Sequence, residues 1–250
     1  MKLGVRNDCV LGADLRDKMK ILKNLGYDFM ELALTEEQVE NLSTEQMEEL
    51  KAAADSTQMP IKQTSMGHFP LFATKKPAER SKLVKHIKTF VDLTNKLDGD
   101  VVLLATKEPS DDVASYAPLY FEELKNVADY ARDKGVTLAL EPVGLIKPST
   151  IDKLVREIAH PAIRMYYDMG NCLYGGEDPV EQARLSADIT AAIHIKGAME
   201  TSLLEMPLRE ILEIFAQAGF AGAGCLEIGP DDDTNKHLEE AISALRKLGY

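Results

Sequence analysis

Glu141, Asp168, His194 and Glu227 each close a short apolar run: Thr137-Leu138-Ala139-Leu140-Glu141, Arg164-Met165-Tyr166-Tyr167-Asp168, Ala191-Ala192-Ile193-His194 and Gly224-Cys225-Leu226-Glu227. They stand 27, 26 and 33 residues apart, each gap about one strand plus one helix long. Three carboxylates and a neutral imidazole gathered at one place would bind a divalent cation, with a net charge of about −1 and positions left for water or substrate oxygens. The oxygen-rich set suits Mn²⁺ first, with Mg²⁺, Co²⁺ and Zn²⁺ as alternatives. A sugar whose carbonyl and neighbouring hydroxyl reach such a cation has its α-proton acidified, because charge developing on the enediolate oxygen is stabilised. A carboxylate on each side of that carbon can then take a proton from one face and return one to the same or the other face. Glu141 and Glu227 are the natural pair for that work. Any one of the four residues alone reads equally as a solvated strand end or, for His194, a hydrogen-bonded core histidine; the case rests on four ligand types in one register.

The elements that must position them are read from the alternation of short apolar runs with helical patterns. Strands are predicted at 3–7, 28–34, 60–66, 100–106, 136–142, 163–168, 189–196 and 223–228, each rich in Val, Ile, Leu, Met or Ala as buried parallel strands require. Thr35 with Gln38, Ser43 with Gln46, and Asp178 with Glu181 have capping-box spacing, and Pro77, Ser149 and Pro207 mark further helix starts. Gly26, Gly99, Gly135 and Gly219 stand where a left-handed helix stop is needed before the next strand. Strand then helix, eight times over 250 residues, predicts an α/β fold, a single (β/α)8 TIM barrel filling residues 1–250 as one domain. An open doubly wound sheet with a nucleotide site would want a GxGxxG turn, where this chain has Val10-Leu11-Gly12-Ala13-Asp14.

Composition narrows the partners. A net charge of −12 argues against nucleic acid and anionic membrane, neither of which can be gripped without a basic face, and so predicts a small-molecule substrate, a carbohydrate if the metal chemistry above applies. The amino-terminal apolar run is too short for a signal peptide and no later stretch approaches a membrane span. Three cysteines, Cys9, Cys172 and Cys225, at long spacings fit a reducing compartment, so the expectation is a cytoplasmic protein.

At the four ligand residues the chain resembles the xylose isomerase-like barrel superfamily, the sugar phosphate isomerases and epimerases that include ketose 3-epimerases. The motifs are Leu140-Glu141-Pro142, Tyr167-Asp168-Met169-Gly170-Asn171, His194-Ile195-Lys196-Gly197 and Leu226-Glu227-Ile228. The resemblance implies Glu141, Asp168, His194 and Glu227 as metal ligands at the ends of strands five to eight, Glu141 and Glu227 doubling as acid and base, and a homodimer or homotetramer. Departures are specific. Many relatives have His at Asn171 and Asp at Gly197, and ketose epimerases hold substrate with an arginine where this chain has Glu200.

His68, Lys196 and Asn171 are the candidate substrate-binding residues. His68 follows strand three; Lys196, two residues past His194, points to the same side of the strand and can either bind substrate or pair with a metal-site carboxylate. Glu31 interrupts an apolar strand and is read as a structural pair inside the barrel, and Tyr166 and Tyr167 are read as packing. The implied activity is metal-dependent isomerisation or epimerisation of a sugar or sugar phosphate. Alternatives are a keto-sugar or keto-inositol dehydratase on the same site, an apurinic-endonuclease-like nuclease, and an inactive binding subunit. The nuclease reading lacks its extra histidines: strand six leads to Asn171, and no histidine follows His194 before His237. Asp231-Asp232-Asp233 after strand eight disfavours a phosphate in the place where barrels commonly hold one.

Overall fold

All eight predicted strands are present, each within two residues of its expected bounds: β1 (Lys2–Arg6), β2 (Phe29–Ala33), β3 (Ile61–Ser65), β4 (Val101–Thr106), β5 (Thr137–Pro142), β6 (Ile163–Asp168), β7 (Thr190–Ile195) and β8 (Ala223–Leu226). The computed structural model describes residues 1–66, 76–108, 111–198 and 201–250, with backbone alone for 113–116. The strands pair in parallel and in chain order, and β8 closes on β1 to complete a (β/α)8 barrel. Helices cover the outside: α1 (Leu15–Leu25), α2 (Glu36–Glu40), α3 (Thr44–Thr57), α4 (Pro77–Lys96), α5 (Val113–Asp133), α6 (Pro148–Ile158), α7 (Met169–Tyr174), α8 (Pro179–Ser186), α9 (Leu208–Gln217) and α10 (Thr234–Lys247). Among the described residues no helix is long and apolar enough to cross a membrane.

The period-two alternation of a strand sorts the side chains into two cores. Leu3, Val5, Met30, Leu32, Leu138, Leu140, Tyr167, Ile193 and Leu226 belong to the outer core, together with helix residues such as Leu22, Phe90, Leu124, Ile151 and Phe215. Each such side chain contributes about 1.5–3 kcal/mol by leaving water. The residues between them turn inward, where Leu103, Ala105, Ala139, Tyr166 and Ala192 form a smaller cluster. Space on the axis is tight. A Cβ on Gly4 would stand 2.4 Å from the Phe29 ring, so β1 has glycine where β2 sends an aromatic side chain inward.

Capping follows the sequence with instructive exceptions. Thr35 with Gln38 and Ser43 with Gln46 form reciprocal capping boxes, and Asp178 accepts from the Val180 and Glu181 amides. Gly26, Gly135 and Gly219 are left-handed as expected. At the end of α4 the left-handed residue is Asp98, at φ 55°, rather than Gly99. Gly99 is required for a different reason: a Cβ there would stand 2.8 Å from the Lys62 carbonyl oxygen, because the chain passes close to β3 before entering β4. The three cysteines are free and buried.

Candidate active site and metal centre

Alternation places the expected ligands on the axis at the carboxyl end of the barrel. Along β5, Leu138 and Leu140 belong to the outer core, so Ala139 and Glu141 face inward. Along β6, Tyr167 packs outward while Tyr166 and Asp168 flank it on the inner side. On β7, Ile193 and Ile195 are outward and His194 inward, and Asp168 pairs directly with His194 across the sheet. Glu227 lies one residue past β8, yet its amide still donates to the Ile195 carbonyl at 3.3 Å, so it keeps the strand's register. His194 Nδ1 is 2.7 Å from Glu141 Oε1, 3.3 Å from Glu227 Oε2 and 3.5 Å from Asp168 Oδ2. Asp168 and His194 are fully buried, whereas the Glu227 side chain is 21% exposed and faces the mouth.

Two cations border this cluster. Lys196 Nζ lies 2.7 Å from Glu227 Oε2 and 2.8 Å from Asp168 Oδ2. Arg6, the last residue of β1, donates to Glu227 Oε1 at 2.5 Å and is itself held by Asp8 through Nε at 2.7 Å and Nη2 at 2.6 Å. Glu227 therefore has a cation on each carboxylate oxygen. Burial opposes its charge, but His194, Lys196 and Arg6 outweigh burial and hold it below the usual carboxylate range. Glu141 goes the other way: burial dominates over the attraction of His194 and pushes it up to about 7. Asp168 is held low by Lys196 and His194 in spite of burial. The two carboxylates expected to exchange protons thus differ in proton affinity because one meets cations and the other a dry wall.

The donor set fits a divalent ion. Glu141, Asp168, His194 and Glu227 each offer an atom within 4.8 Å of the others. Ions bound at about 2.0–2.1 Å in octahedral geometry need adjacent donors about 3 Å apart, close to the spacings around His194 Nδ1. Asp168 supplies an independent sign. Its Oδ1 accepts from the Asn171 amide at 2.8 Å and so caps α7, while its buried Oδ2 receives no properly directed hydrogen bond although Lys196 Nζ is near. That oxygen is charge-paired with Lys196 but keeps a lone pair open to a divalent ion.

The other expected residues divide. Lys196 is at the cluster, in the ion pairs described above. Asn171 sits in the first turn of α7, with its side-chain amide donating to the Pro142 carbonyl at 2.8 Å, so it holds the end of β5 next to Glu141. His68 lies outside the described residues. Arg6 and Asp8 were not anticipated, although Arg6 ends an inward-facing register on β1 as Glu227 does on β8. Glu31 faces inward as expected, but its partners are His194 and Tyr166, so Tyr166 does more than pack. A cleft of about 330 Å³ lined by Arg6, Asp8, Tyr174, Lys196 and Glu227 opens onto the Glu227 carboxylate.

Comparison with known proteins agrees with this arrangement of strands. The sequence matches the xylose isomerase-like TIM barrel family over residues 19–248. The chain belongs to that family. No curated protein is significantly similar to it in sequence. Among solved structures it is similar to D-psicose 3-epimerase from Clostridium cellulolyticum H10, with a TM-score of 0.83, 19% identity and 99% of each chain covered. It is also similar to 3-keto-D-glucoside 4-epimerase from E. coli, with a TM-score of 0.80, 15% identity and 99% of each chain covered. A third similar structure is D-allulose 3-epimerase from Methylomonas sp., with a TM-score of 0.83, 15% identity, and 99% of this xylose isomerase-like chain and 96% of the other covered. Identities this low establish the shared barrel and leave the chemistry to the site itself.

Proposed function

We propose that this protein is a divalent-metal-dependent epimerase or isomerase of keto-sugars that works by moving a proton at the carbon next to a carbonyl. One observation carries the reading: three carboxylates and one imidazole from four consecutive strands offer donors within 4.8 Å of one another at the barrel mouth. Glu141, Asp168, His194 and Glu227 would hold the ion, with Mn²⁺ the best match to an oxygen-rich set. When bound, the ion supplies electrophilic polarisation of a substrate carbonyl, which acidifies the adjacent C–H.

This chain's own groups account for the rest. Glu227, kept ionised by Arg6 and Lys196, accepts the proton from carbon, the electrons of the broken C–H bond remaining with the substrate. Glu141, on the opposite side of the site, returns a proton to the same carbon through its carboxyl group, and the two carboxyl groups reset through solvent. Substrate and product have the same mass. Lys196 and Arg6 fix the Glu227 carboxylate so that its free lone pair faces the cleft rather than turning to bulk water. The solved barrels most relevant to this reading are named for epimerisation of keto-sugars, which supports this class of substrate.

The test is α-proton exchange into deuterated water, followed by NMR across a panel of free ketohexoses and 3-keto-glucosides with Mn²⁺ present. Exchange without mass loss is expected for at least one substrate, and Glu227→Gln is expected to abolish it while an ion still binds. A product lighter by one water would assign a dehydratase on the same site. Unchanged exchange in Glu227→Gln would refute the role given to that residue.

A further inference from the structure

Glu31 lies in the middle of β2, fully buried inside the barrel, on the Nε2 side of the imidazole whose Nδ1 faces the other three donors. A buried carboxylate costs several kcal/mol unless its oxygens are matched, and both oxygens here have partners. Oε1 is 3.4 Å from His194 Nε2, and Oε2 is 2.8 Å from the Tyr166 hydroxyl. That hydroxyl also lies 2.7 Å from Gln63 Oε1. The Tyr166 hydroxyl, with one proton, stands between Glu31 Oε2 and Gln63 Oε1 and is held by both. The Tyr166 ring lies 4.5 Å from the imidazole centroid and fixes the plane of His194.

We propose that Glu31 is the positioning residue that makes His194 a metal ligand: it accepts the Nε2 proton and so leaves the Nδ1 lone pair aimed at Glu141, Asp168 and Glu227. The inference rests on the divalent-ion reading of that cluster. A neutral imidazole has one N–H, and a nitrogen that carries it cannot ligate. The Glu141 contact at 2.7 Å is the shortest carboxylate contact of this ring, against 3.4 Å to Glu31. Without Glu31 the proton would settle on Nδ1, donate to Glu141 and block the ion. Glu31 provides the competing acceptor, and the Gln63–Tyr166 pair holds that acceptor in place. All four residues are buried, so water cannot stand in for any of them. The arrangement is assembled by barrel closure: Glu31 and His194 are 163 residues apart in the chain.

The same geometry has a rival reading. Glu31, His194 and Cys225 also offer atoms within 4.8 Å of one another, so His194 could bridge two ions, with Nε2 ligating rather than donating. The two readings differ in stoichiometry and in the fate of the Nε2 proton.

The experiment uses the full chain loaded with Co²⁺, observed by proton NMR, together with metal analysis and Mn²⁺ titration of the wild type, Glu31→Gln, Glu31→Ala and Tyr166→Phe. The wild type is expected to bind one ion and to show a hyperfine-shifted imidazole N–H that vanishes in deuterated water. Glu31→Ala is expected to weaken Mn²⁺ binding about 10- to 100-fold, as loss of an outer carboxylate partner does elsewhere. Glu31→Gln, whose carbonyl can still accept the proton, should restore most of the affinity and keep the N–H signal, and Tyr166→Phe should fall between. Two ions per chain, the absence of that N–H in the wild type, or wild-type Mn²⁺ affinity in folded Glu31→Ala would overturn the proposal. The first two are read on the wild type and do not depend on any variant folding. Failure to take up any divalent ion would sink the metal reading along with it, and is thereby distinguished from indifference to Glu31.

Discussion

Lys196 Nζ stands 2.7 Å from Glu227 Oε2, reaching it from the adjacent strand, and the same ammonium is 2.8 Å from Asp168 Oδ2. It therefore occupies the edge of the place where a divalent ion would sit and neutralises two ligands when no ion is bound. Lys196→Met is expected to destabilise the metal-free protein by about 3 kcal/mol, the order of cost for stranding buried carboxylates. Saturating Mn²⁺ should restore most of that loss. Thermal melts with and without Mn²⁺ check this; an equal loss in both conditions would mean that Lys196 and the ion do not share ligands.

Arg6 tests the other oxygen of Glu227. With Arg6 replaced by Met, the carboxylate keeps Lys196 on Oε2 but loses its Oε1 anchor, so it can rotate away from the substrate. The expected result is α-proton exchange slowed by about 100-fold, the scale associated with small misplacement of a reacting group, with Mn²⁺ affinity changed by less than about tenfold. Parallel exchange and metal-titration measurements separate the two effects.

Gly197 stands where the resemblance to other barrels of the family leads one to expect Asp, and the backbone explains the difference. The chain turns back at once after β7, with reciprocal hydrogen bonds between Ala198 and Thr201 at 3.0 and 2.9 Å. A Cβ at position 197 would stand 2.3 Å from the Thr201 carbonyl oxygen and 2.9 Å from the Leu203 amide nitrogen. Gly197→Asp and Gly197→Ala should both destabilise the fold by about 1–3 kcal/mol, as overpacking does. Urea unfolding checks this; a stable Gly197→Asp would show that the turn opens readily.

Glu108, just past β4, gives a pH dependence away from the metal ligands. Burial pushes its carboxyl up to about 7, against the opposing hydrogen bond from the Tyr120 hydroxyl at 2.9 Å. A raised acid binds its proton more tightly in the folded state, so its contribution is complete below the unfolded value of about 4.5 and is lost as pH rises to about 7. Glu108→Gln should remove that loss and make the protein more stable than wild type above pH 7, by about 1–3 kcal/mol. Denaturation midpoints at acid and mildly alkaline pH are the measurement, and a variant less stable at both would contradict it.

Much of the site was legible because strand ends announce themselves locally. Glu141, Asp168, His194 and Glu227 each follow an apolar run whose alternation sets the side that the last residue faces, and parallel order does the rest. Arg6 satisfies the same rule on β1 but was missed, since a lone arginine after three apolar or small residues reads as the end of a strand until Glu227 is seen across the closing seam. Glu31 was recognised as inward-facing, but its partners could not be named: His194 and Tyr166 meet it only when the barrel closes. The short helix α7 was hidden because Asp168 is both the last residue of β6 and the N-cap of that helix. At the end of α4 the glycine signal pointed one residue too far, because Gly99 answers to the Lys62 carbonyl rather than to a left-handed turn.

The central claim is that one divalent ion is held by Glu141, Asp168 and His194 near the carboxyl ends of β5, β6 and β7 and by Glu227 just past β8. Crystals grown with Mn²⁺ and measured for anomalous scattering test it directly. The account expects a single strong peak within about 2–2.5 Å of donor atoms from Glu141, Asp168, His194 and Glu227. A peak elsewhere, or Lys196 still bridging Asp168 and Glu227 in saturating Mn²⁺ with no peak beside them, would contradict it.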